Sequence, residues 1–175
     1  MKERPSTYGR VTRIFHWLTA FLILASLFFG FFMTHFAPEA SEDQMYQNHV
    51  TFGWAILILM VLRLGWRIFE PWPEEPAGLS PLRLKAFKWN HILLYAFVIL
   101  MLSSGLGMLS LSGLGFSPGG VTADAIKDVP PKTFHGLLSK GVMLMFLMHM
   151  GGVFSYQFTK GDALARMGAN LKKKK

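Results

Sequence analysis

Residues 133–159 read TFHGLLSKGVMLMFLMHMGGVFSYQFT, and this stretch decides the fold. The run is apolar and long enough to cross a hydrocarbon core of ~30 Å as a helix. It carries two histidines, His135 and His149, fourteen residues apart. Fourteen residues make nearly four helical turns, so both imidazoles leave one face, about 21 Å apart along the axis. This helix therefore predicts ligand positions at two depths, with opposing ligands on other helices.

The rest of the chain has the composition of a membrane protein. Of its 175 residues, 51% are hydrophobic, and three further apolar runs precede the one quoted. We predict one integral membrane domain over residues 1–175, an all-α four-helix bundle with helices at about 14–34, 49–69, 89–109 and 133–159. No cleavable signal peptide is expected, because no small-residue cleavage pattern follows the first apolar run. The expected surroundings are a lipid bilayer, and no nucleic-acid partner is expected.

The distribution of lysine and arginine predicts the orientation. Residues 1–13, the 70–88 connection taken with Arg63 and Arg67, and the chain after residue 159 together carry fifteen basic and five acidic residues, whereas the connections 34–48 and 110–132 together are acidic. The positive-inside rule then puts both termini in the cytoplasm, which gives an up-down-up-down topology. The basic run 172–175 is interpreted as a solvated cytoplasmic anchor.

Histidine is the main metal-binding resource. The chain has no cysteine, which excludes thiol-attached haem, cysteine-ligated iron–sulfur clusters and disulfides within it. The predicted topology places His49 and His135 at the outer surface. It places His16 and His91 at the inner surface and His149 in the inner half of the last helix. Depth alone leaves His16 and His91 as alternative partners of His149.

Facing histidines at two depths indicate haem. A histidine within a span costs free energy unless it is paired or ligated. For any one of them, a hydrogen bond to a carbonyl or to water at the interface is the alternative. Imidazoles on facing helices of a bundle can hold a haem iron from both sides. Zinc and copper sites usually gather more ligands at one point, often with carboxylate or thiolate.

Glycine and arginine positions extend the prediction. Gly30 and Gly105 each lie fourteen residues after an inner-end histidine, so each is expected to make room for a macrocycle at the opposite depth. Ordinary helix packing is the alternative for these glycines. Arg63 and Arg67 share a helix face and are candidates for binding haem propionates, with snorkelling to headgroups as the alternative.

Five stretches carry a resemblance over nearly the whole chain. They are RIFHWLTAFLIL (13–24), NHVTFGWAILILMVLRLGWR (48–67), FKWNHILLYAFVILMLSSGLGM (87–108), FHGLLSKGVMLMFLMH (134–149) and GDALARM (161–167). Together they resemble the prokaryotic cytochrome b561 family, which includes a superoxide oxidase. The resemblance implies a multi-pass protein of the bacterial inner membrane with two b-type haems, each bound by two histidines.

The resemblance also implies roles for single residues. Carried over by position, the axial ligands fall on His49 and His135 for the outer haem, and on His16 and His149 for the inner haem. His91 falls beside a quinone site, where it would bond a carbonyl of ubiquinone or a related quinone and pass a proton. Tyr156 falls where the superoxide oxidase has a second quinone-linked histidine, and a phenol is a poorer proton donor near neutral pH.

Two electron-transfer functions remain open at this stage, beside a haem-free membrane scaffold, which a colourless purified protein would indicate. The first is an oxidoreductase that passes electrons from a periplasmic donor, such as superoxide, to the quinone pool. The second is an electron-relay subunit that serves a separate dehydrogenase, reductase or c-type cytochrome.

Overall fold

The structure, a computed structural model, describes residues 5–169 and consists of helices and connecting segments over that range. In chain order its α-helices are α1 (Arg10–Phe36), α2 (Glu42–Phe69), α3 (Pro81–Leu111), α4 (Ala123–Ile126), α5 (Pro131–Thr159) and α6 (Ala163–Arg166). Short 3₁₀ turns occupy Glu39–Ser41 and Pro118–Gly120. The predicted anchor at 172–175 lies outside the described residues.

Four helices, α1, α2, α3 and α5, are long and apolar enough to cross a membrane. Each contains the corresponding predicted span and extends beyond it at one or both ends. The shortest has 27 residues, or about 40 Å of helix, so every span reaches past a ~30 Å hydrocarbon core. The predicted all-helical membrane fold with four spans is confirmed.

Polar residues set the start of two of these helices. Pro81 occupies the first turn of α3, and the Ser80 hydroxyl accepts a hydrogen bond of 3.4 Å from the Arg83 N–H. Serine before proline is a favoured helix start. Glu42 and Asp43 stand in the first turn of α2, where negative charge suits the helix dipole. Both helices therefore begin outside the apolar runs.

The long helices form two pairs, α1 with α2 and α3 with α5, and the pairs meet through α2 and α3. A layer of buried apolar side chains fills the middle of the bundle: Ile56, Met60, Val98, Met101, Leu138 and Val142. This apolar layer comes from α2, α3 and α5, at positions between the two histidine depths. Its side chains exclude water from the space between the outer and the inner histidines.

Both described ends of the chain lie at one end of the bundle. The Tyr8 N–H donates to the Arg166 carbonyl at 3.2 Å, and the Tyr156 hydroxyl donates to the Ala77 carbonyl at 3.1 Å. We call this the inner end; it holds residues 5–9, 70–80 and 160–169. The outer end holds residues 37–41 and 112–130.

The segment between α3 and α5 folds over the outer end. The Trp54 indole donates to the Phe116 carbonyl at 3.1 Å, and the Ala123 N–H donates to the Asp43 carboxylate at 2.8 Å. Beneath these contacts lies a second buried cluster, Met33, Tyr46, Leu109, Val121 and Ile126. This cluster closes the outer end above the histidines of α2 and α5.

Candidate functional site

His49 of α2 and His135 of α5 face each other near the outer end. Their ring centres are 6.2 Å apart and their planes meet at 85°. Two metal–nitrogen bonds of about 2 Å, with each ring centre ~1 Å behind its nitrogen, would put the centres about 6 Å apart. The spacing of this pair therefore fits one metal held between the two rings.

The hydrogen bonds of His135 orient its ring. Its Nδ1 lies 3.1 Å from the Met101 carbonyl oxygen and 2.9 Å from the Ser104 hydroxyl, and this hydroxyl donates to the same carbonyl at 2.7 Å. A carbonyl only accepts, so Nδ1 carries the hydrogen and donates it. Nε2 then keeps the lone pair that a metal requires.

Two glycines bring the backbone against the outer pair. A Cβ added at Gly30 would lie 3.2 Å from Cε1 of His49, and one added at Gly105 would lie 3.5 Å from Cε1 of His135. These are the two glycines that the sequence placed at the depth opposite the inner histidines. Their lack of a side chain lets both rings lie close to α1 and α3.

Near the inner end, His149 of α5 has two histidine neighbours. Its ring centre is 6.2 Å from that of His16 on α1 and 5.0 Å from that of His91 on α3. The first distance equals that of the outer pair, and the second is shorter than two ligand bonds require. His91 Nδ1 donates to the Phe87 carbonyl at 2.7 Å, which leaves its Nε2 free to bond elsewhere.

Arg63 lies at the inner pair. Its Nη2 is 3.2 Å from Nδ1 of His16, and its guanidinium carbon is 5.2 Å from the centre of the Tyr95 ring. A guanidinium only donates, so Nδ1 of His16 accepts this hydrogen bond and the ring hydrogen sits on Nε2. In this arrangement the two nitrogens of His16 have the roles opposite to those in His135.

Arg67, one turn further along α2, belongs to a different cluster. It lies 3.3 Å from Glu70 in an ion pair whose side chains are only 13% and 10% exposed. Its guanidinium also stacks 3.6 Å above the Trp72 ring, and Glu70 accepts a hydrogen bond from Thr12. The two arginines that the sequence grouped together therefore have separate surroundings, and only Arg63 touches a histidine.

Tyr156 closes the inner end beyond His149. It follows His149 by seven residues, or about 10 Å along α5. Its hydroxyl is held by the carbonyl of Ala77 in the 70–80 connection.

The donor set favours a macrocycle over a bare ion. Within residues 5–169, no group of three or more His, Asp or Glu side chains comes together as a metal site would require. Each histidine pair offers two nitrogens. Haem brings four nitrogens of its own and needs two axial ligands, whereas zinc and copper sites use more protein ligands. The side chains present fit haem.

The sequence reasoning missed Ser104. This serine is not ionisable and lies inside an apolar run, so neither charge nor hydropathy marks it. A hydroxyl within a membrane span needs a partner, often on a neighbouring helix. That rule, applied next to Gly105, would have identified it.

Comparison with known proteins gives consistent matches. A family model described as prokaryotic cytochrome b561 matches residues 7–169. Cytochrome b561 homolog 2 of Escherichia coli (strain K12) is 26% identical over 180 residues, covering 93% of this chain and 92% of that protein. Cytochrome b562 of Cereibacter sphaeroides is 27% identical over 174 residues, covering 94% of this chain and 95% of that protein.

Proposed function

Since the chain belongs to the prokaryotic cytochrome b561 family and is thereby an electron-transfer cytochrome of the membrane, we propose that it binds two haem b groups and carries electrons between an outer donor and a quinone at the inner end. The observation that carries this proposal is the pair of equal histidine spacings, 6.2 Å at each of two depths. The apolar layer lies between them. With the inner end in the cytoplasm, as the basic residues predict, the protein lies in the bacterial inner membrane.

The proposed axial ligands are His49 with His135 at the outer level and His16 with His149 at the inner level. A bound haem b supplies one-electron redox chemistry at each level. With an imidazole on both sides, these residues leave no coordination position for a substrate. They therefore favour outer-sphere electron transfer over oxygen binding.

Arg63 has to change partner when the inner site fills. For Nε2 of His16 to bind a metal, Nδ1 must carry the ring hydrogen, and it can then no longer accept from Arg63. The released guanidinium matches a carboxylate in charge and in its two-pronged geometry. We assign Arg63 to a haem propionate. Arg67 already has Glu70 as its carboxylate partner.

His91 is the proposed proton donor to quinone. Its Nδ1 is occupied by the Phe87 carbonyl, so Nε2 is the nitrogen that would bond a quinone carbonyl. The ring centre of His91 is 5.0 Å from that of His149, so His91 lies beside the proposed inner haem site. Reduction of a quinone to a quinol takes two electrons and two protons, and His91 would pass protons from the inner end. Tyr156 would border the site.

The charge of the outer end favours the second candidate, a relay from a redox protein. Lys127 lies 2.5 Å from Asp124, and this partner holds the pKa of Asp124 below its ordinary value. The lysine charge is thus neutralised locally. The outer end and the adjoining helix turns also carry Glu39, Glu42, Asp43 and Asp128 against Lys132, so acidic residues are in excess there. Such a surface repels the superoxide anion and attracts a cationic redox protein.

Proteoliposomes that contain ubiquinone test the proposal. On adding superoxide or a reduced, cationic c-type cytochrome as electron donor, the haem absorbance of the wild type should shift to the reduced form and quinol should accumulate. His91→Gln should keep the absorbance change and lose at least tenfold in quinol formation, while the outer-end control His35→Gln should keep both. Unchanged quinol formation in His91→Gln would exclude the proton-donor role.

Comparing the two electron donors in this experiment, superoxide and the c-type cytochrome, separates the two candidate functions. A protein donor attracted by the acidic outer end should lose rate steeply as salt rises, because screening weakens steering. Fast reduction by superoxide that depends little on salt would favour the superoxide oxidase instead.

A further inference from the structure

A groove of about 640 Å³ lies at the inner end, between the start of α1 and the chain that follows α6. Its lining combines two arginines with apolar and aromatic side chains: Arg10, Arg13, Ile14, Trp17, Leu18 and residues 167–169. Ile14 and Leu18 are 55% and 43% exposed, so this part of α1 faces the surrounding lipid. The groove is thus cationic at its inner edge and apolar toward the bilayer.

The wall of this groove is built by specific contacts. Arg13 lies against Gly168, whose φ is +81°, and a Cβ added there would be 2.8 Å from Nη1 of Arg13. A side chain at that position would be strained and would push the guanidinium away. The Trp17 indole donates to the Met167 carbonyl at 3.0 Å. These contacts fold the chain after α6 back onto α1.

Arg13 retains unused hydrogen-bonding capacity at this place. Its Nε is buried and has no partner among the described residues. A buried N–H on a charged group is costly unless something accepts its hydrogen bond. At least one donor of Arg13, at the wall of the groove, is therefore not satisfied by the described residues.

We propose that this groove binds an anionic phospholipid of the leaflet at the inner end. Arg10 and Arg13 would hold the phosphate, because guanidinium groups bind phosphate with two parallel hydrogen bonds. An acyl chain would lie along Ile14 and Leu18. The exposed apolar lining is the argument for a lipid, since a soluble phosphate makes no use of it. Basic pockets beside membrane helices bind anionic headgroups, and tryptophan favours the headgroup level.

Native mass spectrometry of the full-length haem-containing protein tests this proposal, with phosphatidylglycerol and phosphatidylcholine as probes. The wild type should retain one phosphatidylglycerol under conditions that strip phosphatidylcholine. The double variant Arg10→Gln/Arg13→Gln should bind phosphatidylglycerol at least tenfold more weakly, since each cation near an anionic headgroup adds severalfold to affinity. The matched control Arg83→Gln/Lys85→Gln removes the same charge from exposed positions at the same end and should bind normally.

Three results would overturn the proposal. Equal losses of phosphatidylglycerol binding in the two double variants would indicate that the lipid is attracted by the overall surface charge and not by this groove. Displacement of phosphatidylglycerol by inorganic phosphate would indicate a site for free phosphate. Equal retention of the two lipids would exclude recognition of the headgroup. Arg10→Gln alone alters an exposed side chain and should leave the haem spectrum intact, so a severalfold loss of lipid binding in it cannot be ascribed to misfolding.

Discussion

The Ser104 hydroxyl on α3 lies 2.9 Å from Nδ1 of His135 on α5. The Met101 carbonyl accepts from Nδ1, and because the Ser104 hydroxyl donates to that same carbonyl, its oxygen is left to accept from Nδ1 as well. The contact orients a histidine that we propose as a haem ligand. It also explains why a hydroxyl is buried within the apolar run of α3.

Ser104→Ala should therefore weaken the outer haem selectively. Loss of a hydrogen-bond partner behind a ligating histidine typically costs about 10–100-fold in metal affinity. We expect the low end of that range, because the Met101 carbonyl still accepts from Nδ1. Titration of haem into the apoprotein measures this affinity. Ser103→Ala, at the exposed neighbouring position, is the control, and identical affinities in both variants would remove Ser104 from the site.

Gly30→Val should reduce the haem content toward one per chain. Its Cβ would meet the His49 ring at 3.2 Å, and the two methyl groups beyond it would push the ring from its position. Gly65→Val on α2 is the matched control, because a Cβ there meets nothing within 4 Å. Haem extraction and quantification measures the outcome. Full haem content in Gly30→Val would mean that the ring does not need the glycine.

Arg63→Gln should lower the midpoint potential of the inner haem. A nearby cation stabilises the reduced form, which carries one positive charge less. Removing it at several ångströms should cost on the order of 50 mV, or roughly tenfold in the reduction equilibrium. Redox titration by optical spectroscopy measures the shift. A higher potential, or no change, would contradict the assignment.

Arg67→Gln should act on stability rather than on potential. It leaves Glu70 buried without its counter-charge, and breaking a buried pair costs about 3–5 kcal/mol. The control is Lys88→Gln, which breaks the 2.6 Å pair with Glu75. Both side chains of that pair are half exposed, so its loss should cost under ~1 kcal/mol. Thermal unfolding in detergent compares the two variants, and equal melting temperatures would show that burial does not strengthen the first pair.

The spans could be predicted from sequence because a membrane demands long apolar helices with internally satisfied backbones. The start of α3 was placed eight residues late, although Ser80 and Pro81 carry a recognisable start signal. The short helices α4 and α6 lack apolar runs, so hydropathy could not reveal them. Their caps, such as the Thr122 hydroxyl that accepts from the Ala125 N–H, act over a few residues.

The partner of His149 could not be derived from helix depth, and before the structure only the family resemblance pointed to His16. The membrane depth predicted from the sequence did not distinguish His16 from His91 as the partner of His149, since both lie near inner helix ends. The structure brings both to His149 and distinguishes them by distance, which depends on how α1 and α3 pack around α5. The separate surroundings of Arg63 and Arg67 likewise depend on Glu70 and Trp72, which follow in the connection after α2.

The most direct test of the account is the haem content of purified protein, measured with the reduced-minus-oxidised spectrum. The wild type and His35→Ala, whose histidine bonds only within α1 at the outer end, should each contain two b-type haems per chain. His49→Ala and His16→Ala should each contain one, lost from opposite levels. Retention of both haems in His49→Ala, or a wild type with fewer than two, would contradict the two-level arrangement.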